Sequence, residues 1–77
     1  MNEIDIGRRI RAVRRAQGLR QDEVAALSGV GARFVSNLEN GKATAELGRT
    51  LRVLRVLGIE LHLSARTWQD VEQLDAA

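Results

Sequence analysis

Residues 21–40 read QDEVAALSGVGARFVSNLEN, and the fold turns on how this stretch is read. Two short amphipathic helical patterns meet at Ser28-Gly29-Val30-Gly31. Ala25 is small where two helices cross closely. Gly29 stands where a tight inter-helix turn needs a positive φ, which glycine adopts at little steric cost. Val24, Leu27, Val30, Val35 and Leu38 are apolar where such a unit has to bury surface. The spacing predicts a helix-turn-helix, in which one helix braces a second against the major groove of DNA.

Working outward, a first helix is expected from Asp5, as N-cap, to a stop at Gly18. Ile6, Ile10, Val13 and Ala16 form its apolar stripe, with Arg8, Arg9, Arg11, Arg14 and Arg15 around them. The second helix is expected from about Gln21 to Ser28, with Asp22 and Glu23 favourably placed against the helix dipole. The third runs from about Ala32 to Asn40 and is stopped by Gly41. The fourth follows Thr44 as N-cap, carries Glu46 in its first turn and ends before Gly58. Its Leu47, Leu51 and Leu54 follow the spacing of a core stripe, and Val53, Val56 and Leu57 widen the apolar surface. That excess fits packing against the chain that follows or, slightly better, self-association.

In Gly58-Ile59-Glu60-Leu61-His62-Leu63-Ser64, the apolar Ile59, Leu61 and Leu63 alternate with polar residues. This is the period-2 pattern of a half-buried strand. No second strand is legible elsewhere, and a lone strand leaves its backbone groups unpaired. Pairing with the same strand of a second copy across a twofold axis resolves this; the other reading is an extended segment lying on its own helices. His62 is expected at a surface or interface rather than as a ligand. In the tail, Trp68, Val71 and Leu74 fit a short helix, with Trp68 either packed on the dimer or anchoring another protein.

Composition narrows the alternatives. A chain of 77 residues makes one small domain, which often gains stability by association. With no cysteine and one histidine, neither a disulfide framework nor a zinc site is expected, and no cofactor is implied. No apolar run approaches the roughly 18–20 residues of a membrane span and no signal peptide opens the chain, so the expected compartment is the cytoplasm, without membrane contact. Residues 1–64 carry 11 basic and 7 acidic side chains, whereas residues 65–77 carry 1 and 3. Arginine supplies 11 of the 12 basic residues, and its fork suits phosphate and guanine. The basic body therefore points to a polyanion, and the acidic tail does not. There is no nucleophile–base pair, paired acidic site or phosphate-binding glycine loop, so an enzyme is not expected.

The segment Gly29–Lys42, with Gly18-Leu19-Arg20-Gln21 before it, resembles the phage-repressor-like (Xre/Cro type) helix-turn-helix family over roughly residues 6–58. The Leu38-Glu39-Asn40-Gly41-Lys42 ending carries much of that resemblance. With the 57–63 segment added, the chain is similar to the HipB-like antitoxins of bacterial type II toxin–antitoxin modules. The resemblance implies a mainly α, four- to five-helix domain over residues 1–64, with one strand at about 59–64 pairing across a homodimer and an acidic tail over 65–77. It also implies a repressor of its own operon that binds double-stranded DNA at an inverted-repeat operator, and a HipA-like serine/threonine kinase toxin as partner.

By the same resemblance, Ala32, Arg33, Ser36 and Asn37 are the base-reading positions; their spacing alone places them on one helix face. Arg33 is the foremost reader, since its fork matches guanine O6 and N7, with a phosphate contact as the alternative. Asn37 suits adenine, Ser36 a base or a phosphate, and Ala32 a thymine methyl. Gln21 is assigned to the DNA backbone or an outer base. Phe34, Asn40 and Lys42 are assigned beside the backbone, although Phe34 equally suits the core. Arg20 replaces a frequent Ser or Thr cap and adds a possible phosphate contact. Gly31 replaces a polar N-cap. Glu39 is expected to pair with Arg14 as a structural ion pair, and Val53, Val56, Leu57, Ile59, Leu61 and Leu63 to form the dimer surface. A stand-alone phage-type repressor without a toxin, or an interaction module that no longer binds DNA, are the competing readings.

Overall fold

A computed structural model describes residues 1–65. Four helices follow in order: α1 (Glu3–Ala16), α2 (Gln21–Ser28), α3 (Ala32–Glu39) and α4 (Leu47–Leu57). α2 packs on α3 and α4, and α1 lies across both α3 and α4. The α2–α3 connection is a tight turn. Val30 and Gly29 donate backbone N–H groups to the Ala25 and Ala26 carbonyls, with Gly29 at φ 68°. The same paired arrangement, a glycine at positive φ followed by a residue bonded back into the last turn, ends the other three helices.

Helix starts differ from the sequence reading. α1 begins before Asp5, because Asn2 Oδ1 accepts from the Asp5 N–H at 2.9 Å and the Asp5 carboxylate accepts from the Asn2 N–H at 3.2 Å. That reciprocal box satisfies two donors at once, so Asp5 supports the cap rather than being it. At α4 the N-cap is Glu46, with no side-chain cap bond, and Thr44 lies outside the helix. At α2 the Glu23 carboxylate accepts from the Arg20 N–H at 2.9 Å. Arginine has no acceptor to return the bond, so only half of a capping box forms there.

The core comprises Ile10, Val24, Ala25, Val35, Leu38, Val53, Leu54 and Leu57, with Val13, Leu19, Val30, Phe34, Ala45 and Ile59 packed on its edge. Several apolar residues take other places than expected. α2 is wedged in through Val24, Ala25 and Ser28, which turns Leu27 outward to 65% exposure. α4 buries the line Val53, Leu54 and Leu57, so Leu47 and Leu51 on its flank are exposed. Val53 and Leu57 are therefore corrected from dimer surface to protomer core, while Val56 is half-buried. On α1, Ile6 and Ala16 are exposed, and the buried positions are Gly7, Ile10 and Arg14.

Gly7 explains that shift. A Cβ there would lie 2.5 Å from the Glu39 carbonyl oxygen and 2.6 Å from that of Leu38, so α1 rests directly on the end of α3. Residues 59–65 follow α4 without regular secondary structure, and there is no β-bridge among the described residues. Ile59 lies on the core, whereas Leu61 and Leu63 are 54% and 80% exposed. Trp68, Val71 and Leu74 lie outside the described residues.

The same substitution should have different effects at two glycines. Gly7→Ala forces α1 off α3 and is expected to cost about 1–3 kcal/mol by overpacking. At Gly48, the second residue of α4, an added Cβ meets only the Glu46 side chain at 3.6 Å. Gly48→Ala should therefore be neutral or gain up to about 0.5 kcal/mol, the low end of the interior-helix preference. Urea unfolding midpoints of the two variants check this, and an unchanged midpoint for Gly7→Ala would contradict the close crossing.

Candidate nucleic-acid interface

α3 has two unlike faces. Val35, Leu38 and Glu39 are buried, and the opposite side carries Ala32, Arg33, Ser36 and Asn37. Ala32 and Arg33 are exposed, while Ser36 and Asn37 are half-buried. At a rotation of about 100° per residue these four share one strip of helix. Arg33 is exposed and makes no ion pair or side-chain hydrogen bond among the described residues.

A buried network fixes this face from behind. Arg14 Nε donates to Glu39 Oε2 at 2.6 Å and Arg14 Nη2 donates to Glu39 Oε1 at 3.0 Å. Arg14 Nη1 also donates to the Leu19 carbonyl at 2.8 Å. Gln21 Nε2 donates to Glu39 Oε1 at 3.1 Å. Burial pushes the Glu39 carboxyl up, but the hydrogen bonds from Arg14 and Gln21, together with the Arg14 charge, outweigh it and hold Glu39 below the usual carboxylate range. The bond to Glu39 pushes the Arg14 guanidinium upward.

Gln21 is half-buried and has one amide hydrogen committed to Glu39, leaving its second N–H and its carbonyl without a hydrogen bond among the described residues. Arg20 is exposed but engaged, 3.1 Å from Asp22 and 3.6 Å from Glu23. A phosphate contact from Arg20 has to compete with those carboxylates. Phe34 is half-buried and packs on the core edge, as the core reading left open for it expects. It lines a shallow groove with Asn37, Lys42, Thr44, Ala45, Glu46 and Arg49. That groove joins residues expected to read bases and residues expected beside the backbone. Asn40, which caps α3, is exposed.

Three residues that the sequence reading did not single out for this face lie beside it: Thr44, Arg49, which pairs with Glu46 at 3.0 Å, and Arg52, whose guanidinium lies 3.6 Å from the Cβ position of Gly29 over the α2–α3 turn. The available signal was the exposed arginine series Arg49, Arg52 and Arg55 on α4, three residues apart. Among the described residues no group of three or more His, Cys, Asp or Glu side chains is placed to hold a metal ion, and no helix is long and apolar enough to cross a membrane.

The helix-turn-helix family model (HTH_3) matches residues 10–63, most of the chain. The chain belongs to the Xre-type helix-turn-helix family. It is 51% identical over 61 residues, 79% of its length and 80% of the other's, to the uncharacterized HTH-type transcriptional regulator y4mF of Sinorhizobium fredii. As a fold it matches HipB, solved in a HipA–HipB–O2–O3 complex, with TM-score 0.78 over 86% of this chain and 93% of that one at 23% identity. The restriction-modification controller protein C.AhdI from Aeromonas hydrophila matches with TM-score 0.67 and 35% identity over 74% of this chain and 86% of that one. This Xre-type protein is thus a helix-turn-helix transcriptional regulator with a HipB-like fold.

Acid should expose the role of Glu39. Its folded carboxyl lies below the unfolded value of about 4.3, so its stabilisation is fully present above that value and is lost as pH falls through the folded one. Glu39→Gln should lower stability at pH 7, by about 3–5 kcal/mol if the guanidinium is left without a counter-charge, and should flatten the decline below about pH 4.3. Unfolding free energies measured from pH 7 to pH 2.5 check this, and an acid limb identical in the two proteins would contradict it.

Proposed function

We propose that this chain is a dimeric, sequence-specific repressor that lays α3 in the major groove and reads an inverted repeat. Arg33 and Asn37 supply most of the base discrimination, with Ser36 and Ala32 beside them. Gln21, Phe34, Asn40 and Lys42 seat the protein on the phosphate backbone, and Arg20 joins them once released from Asp22. The observation that carries this reading is Arg33, exposed and without an ion pair among the described residues, on the outer face of a helix whose back is clamped by Arg14–Glu39. Two such helices in a twofold dimer would meet half-sites about 34 Å apart. Work in the cytoplasm on chromosomal DNA follows from that role.

The finer role we propose is that of an antitoxin, which represses its own operon and binds a HipA-like serine/threonine kinase toxin. It is supported by the fold match with HipB over nearly the whole of that chain and by the tail after residue 65, which carries Trp68 and an acidic excess. The competing role, a stand-alone autoregulator without a toxin, is favoured by the higher identity to a controller protein. Co-expression with the product of the adjacent gene separates them. A kinase-fold protein retained through the tail supports the antitoxin, and a neighbour that does not bind supports the autoregulator.

For base reading, Arg33→Ala should weaken specific binding by about 1–3 kcal/mol and relax preference at one base pair per half-site. Lys42→Ala should instead weaken binding evenly across sequences and reduce the salt slope by about one. Titrations against single-base-pair variants at two salt concentrations distinguish the two effects. An Arg33→Ala protein with an unchanged base profile would overturn its assignment.

A further inference from the structure

Two arginines beside α3 stand where their own helices disfavour them. Arg20 is the N-cap residue of α2, and Arg49 is the third residue of α4, whose N-cap is Glu46. The start of a helix is the positive end of its dipole and disfavours a cation in the first turn. Neither arginine serves its helix in return. Arg20 makes no side-chain cap bond, and α4 also starts without one. Residues set against local preference tend to serve function rather than folding.

Each of the two is held by carboxylates of its own turn. Arg20 Nε lies 3.1 Å from Asp22 Oδ1 and 3.6 Å from Glu23 Oε1, and Arg49 Nε lies 3.0 Å from Glu46 Oε2. The hydrogen bond from Arg20 keeps the Asp22 carboxyl below the usual carboxylate range. Glu46 and Arg49 share the groove with Asn37 and Lys42, while Arg20 directly precedes Gln21, whose amide bonds to Glu39. Arg33, on the outer face of α3, has no such partner among the described residues. Exposed pairs of this kind are weak. A phosphate can therefore take either arginine, but only by breaking the pair and settling beside the carboxylate it displaces.

We propose that Glu46 and Asp22, with Glu23, restrain the affinity of this protein for DNA by occupying Arg49 and Arg20, so that of the three arginines only Arg33 meets the duplex unoccupied. This rests on the DNA-binding reading above and adds to it acidic residues whose neutralisation tightens binding. Phosphate contacts supply affinity for DNA of any sequence, so the restraint acts on all duplexes alike and leaves base preference to α3. Acids in a first turn also stabilise their helix. That role alone predicts lower stability on neutralisation and no gain in binding.

Neutral isosteres in the full chain separate the two roles. Glu46→Gln should tighten binding to a mixed-sequence duplex, and to one selected for tight binding, by about 2- to 5-fold. Its affinity should fall more steeply with salt, with the base profile unchanged. Asp22→Asn should act similarly, and the two gains should multiply when combined. Glu3→Gln removes the same charge from a residue in no ion pair among the described residues, and should leave affinity nearly unchanged. In an Arg49→Gln background the gain from Glu46→Gln should vanish. Equal tightening by Glu3→Gln would show an effect of net charge and overturn the proposal. So would a gain that survives Arg49→Gln, which would mean direct repulsion of DNA by Glu46. Unchanged or weaker binding by Glu46→Gln, with a lowered unfolding midpoint, would reduce the acid to its helix. If the unaltered chain binds no duplex at all, the DNA-binding reading fails and this inference with it.

Discussion

The bidentate contact between Arg14 and Glu39 is the constraint on which the recognition face depends. α3 is eight residues long and has no side-chain N-cap. A helix of that length is marginal alone and needs tertiary contacts to hold it. Hydrophobic contacts through Val35 and Leu38 bring it to the core but are not directional. Hydrogen bonds to the Glu39 carboxylate are directional, and they come from α1 through Arg14 and from α2 through Gln21. Replacing a buried ion pair by apolar residues is often neutral in stability, so its value here lies in rotation and depth rather than in net free energy. The absence of a side chain at Gly7 lets α1 sit directly on the carbonyls at the end of α3, where the network closes.

From that anchor the division of labour follows. Residues on the inner side of α3 are committed to the protein, whereas on the outer side Arg33 is exposed and makes no ion pair among the described residues. The groove beside Phe34 continues the exposed face toward Lys42 and Arg49, so the positions proposed to read bases and those proposed to meet the DNA backbone form one surface. Gln21 stands at the junction, bonded to the network on one side and open on the other. The backbone contact proposed at Gln21 is thereby tied to the same carboxylate that orients α3.

Much of this was legible in the sequence because helix stops and turns are local. Gly18, Gly29, Gly41 and Gly58 marked all four helix ends, and α2 was bounded correctly. The Arg14–Glu39 pair and the outer strip of α3 also follow from spacing and family pattern. Burial was less legible where a helix packs on two neighbours. α2 and α4 each bury adjacent positions one turn apart, such as Val24, Ala25 and Ser28, and a simple apolar count assigns Leu27, Leu47 and Leu51 to the core instead. Val53 and Leu57 were misplaced for the same reason. Gly7 gave no sequence signal, because a close helix crossing is a tertiary fact. The start of α1 was missed because Asn2 and Asp5 cap each other, and either alone reads as a cap.

The central claim is that a clamped α3, doubled by a twofold axis, reads DNA sequence. Selection of bound duplexes from a random pool by the full chain tests it most directly. The expected result is enrichment of an inverted repeat whose half-sites are centred about 10–10.5 base pairs apart. Recovery of no shared sequence, or of a single unrepeated motif, would contradict it.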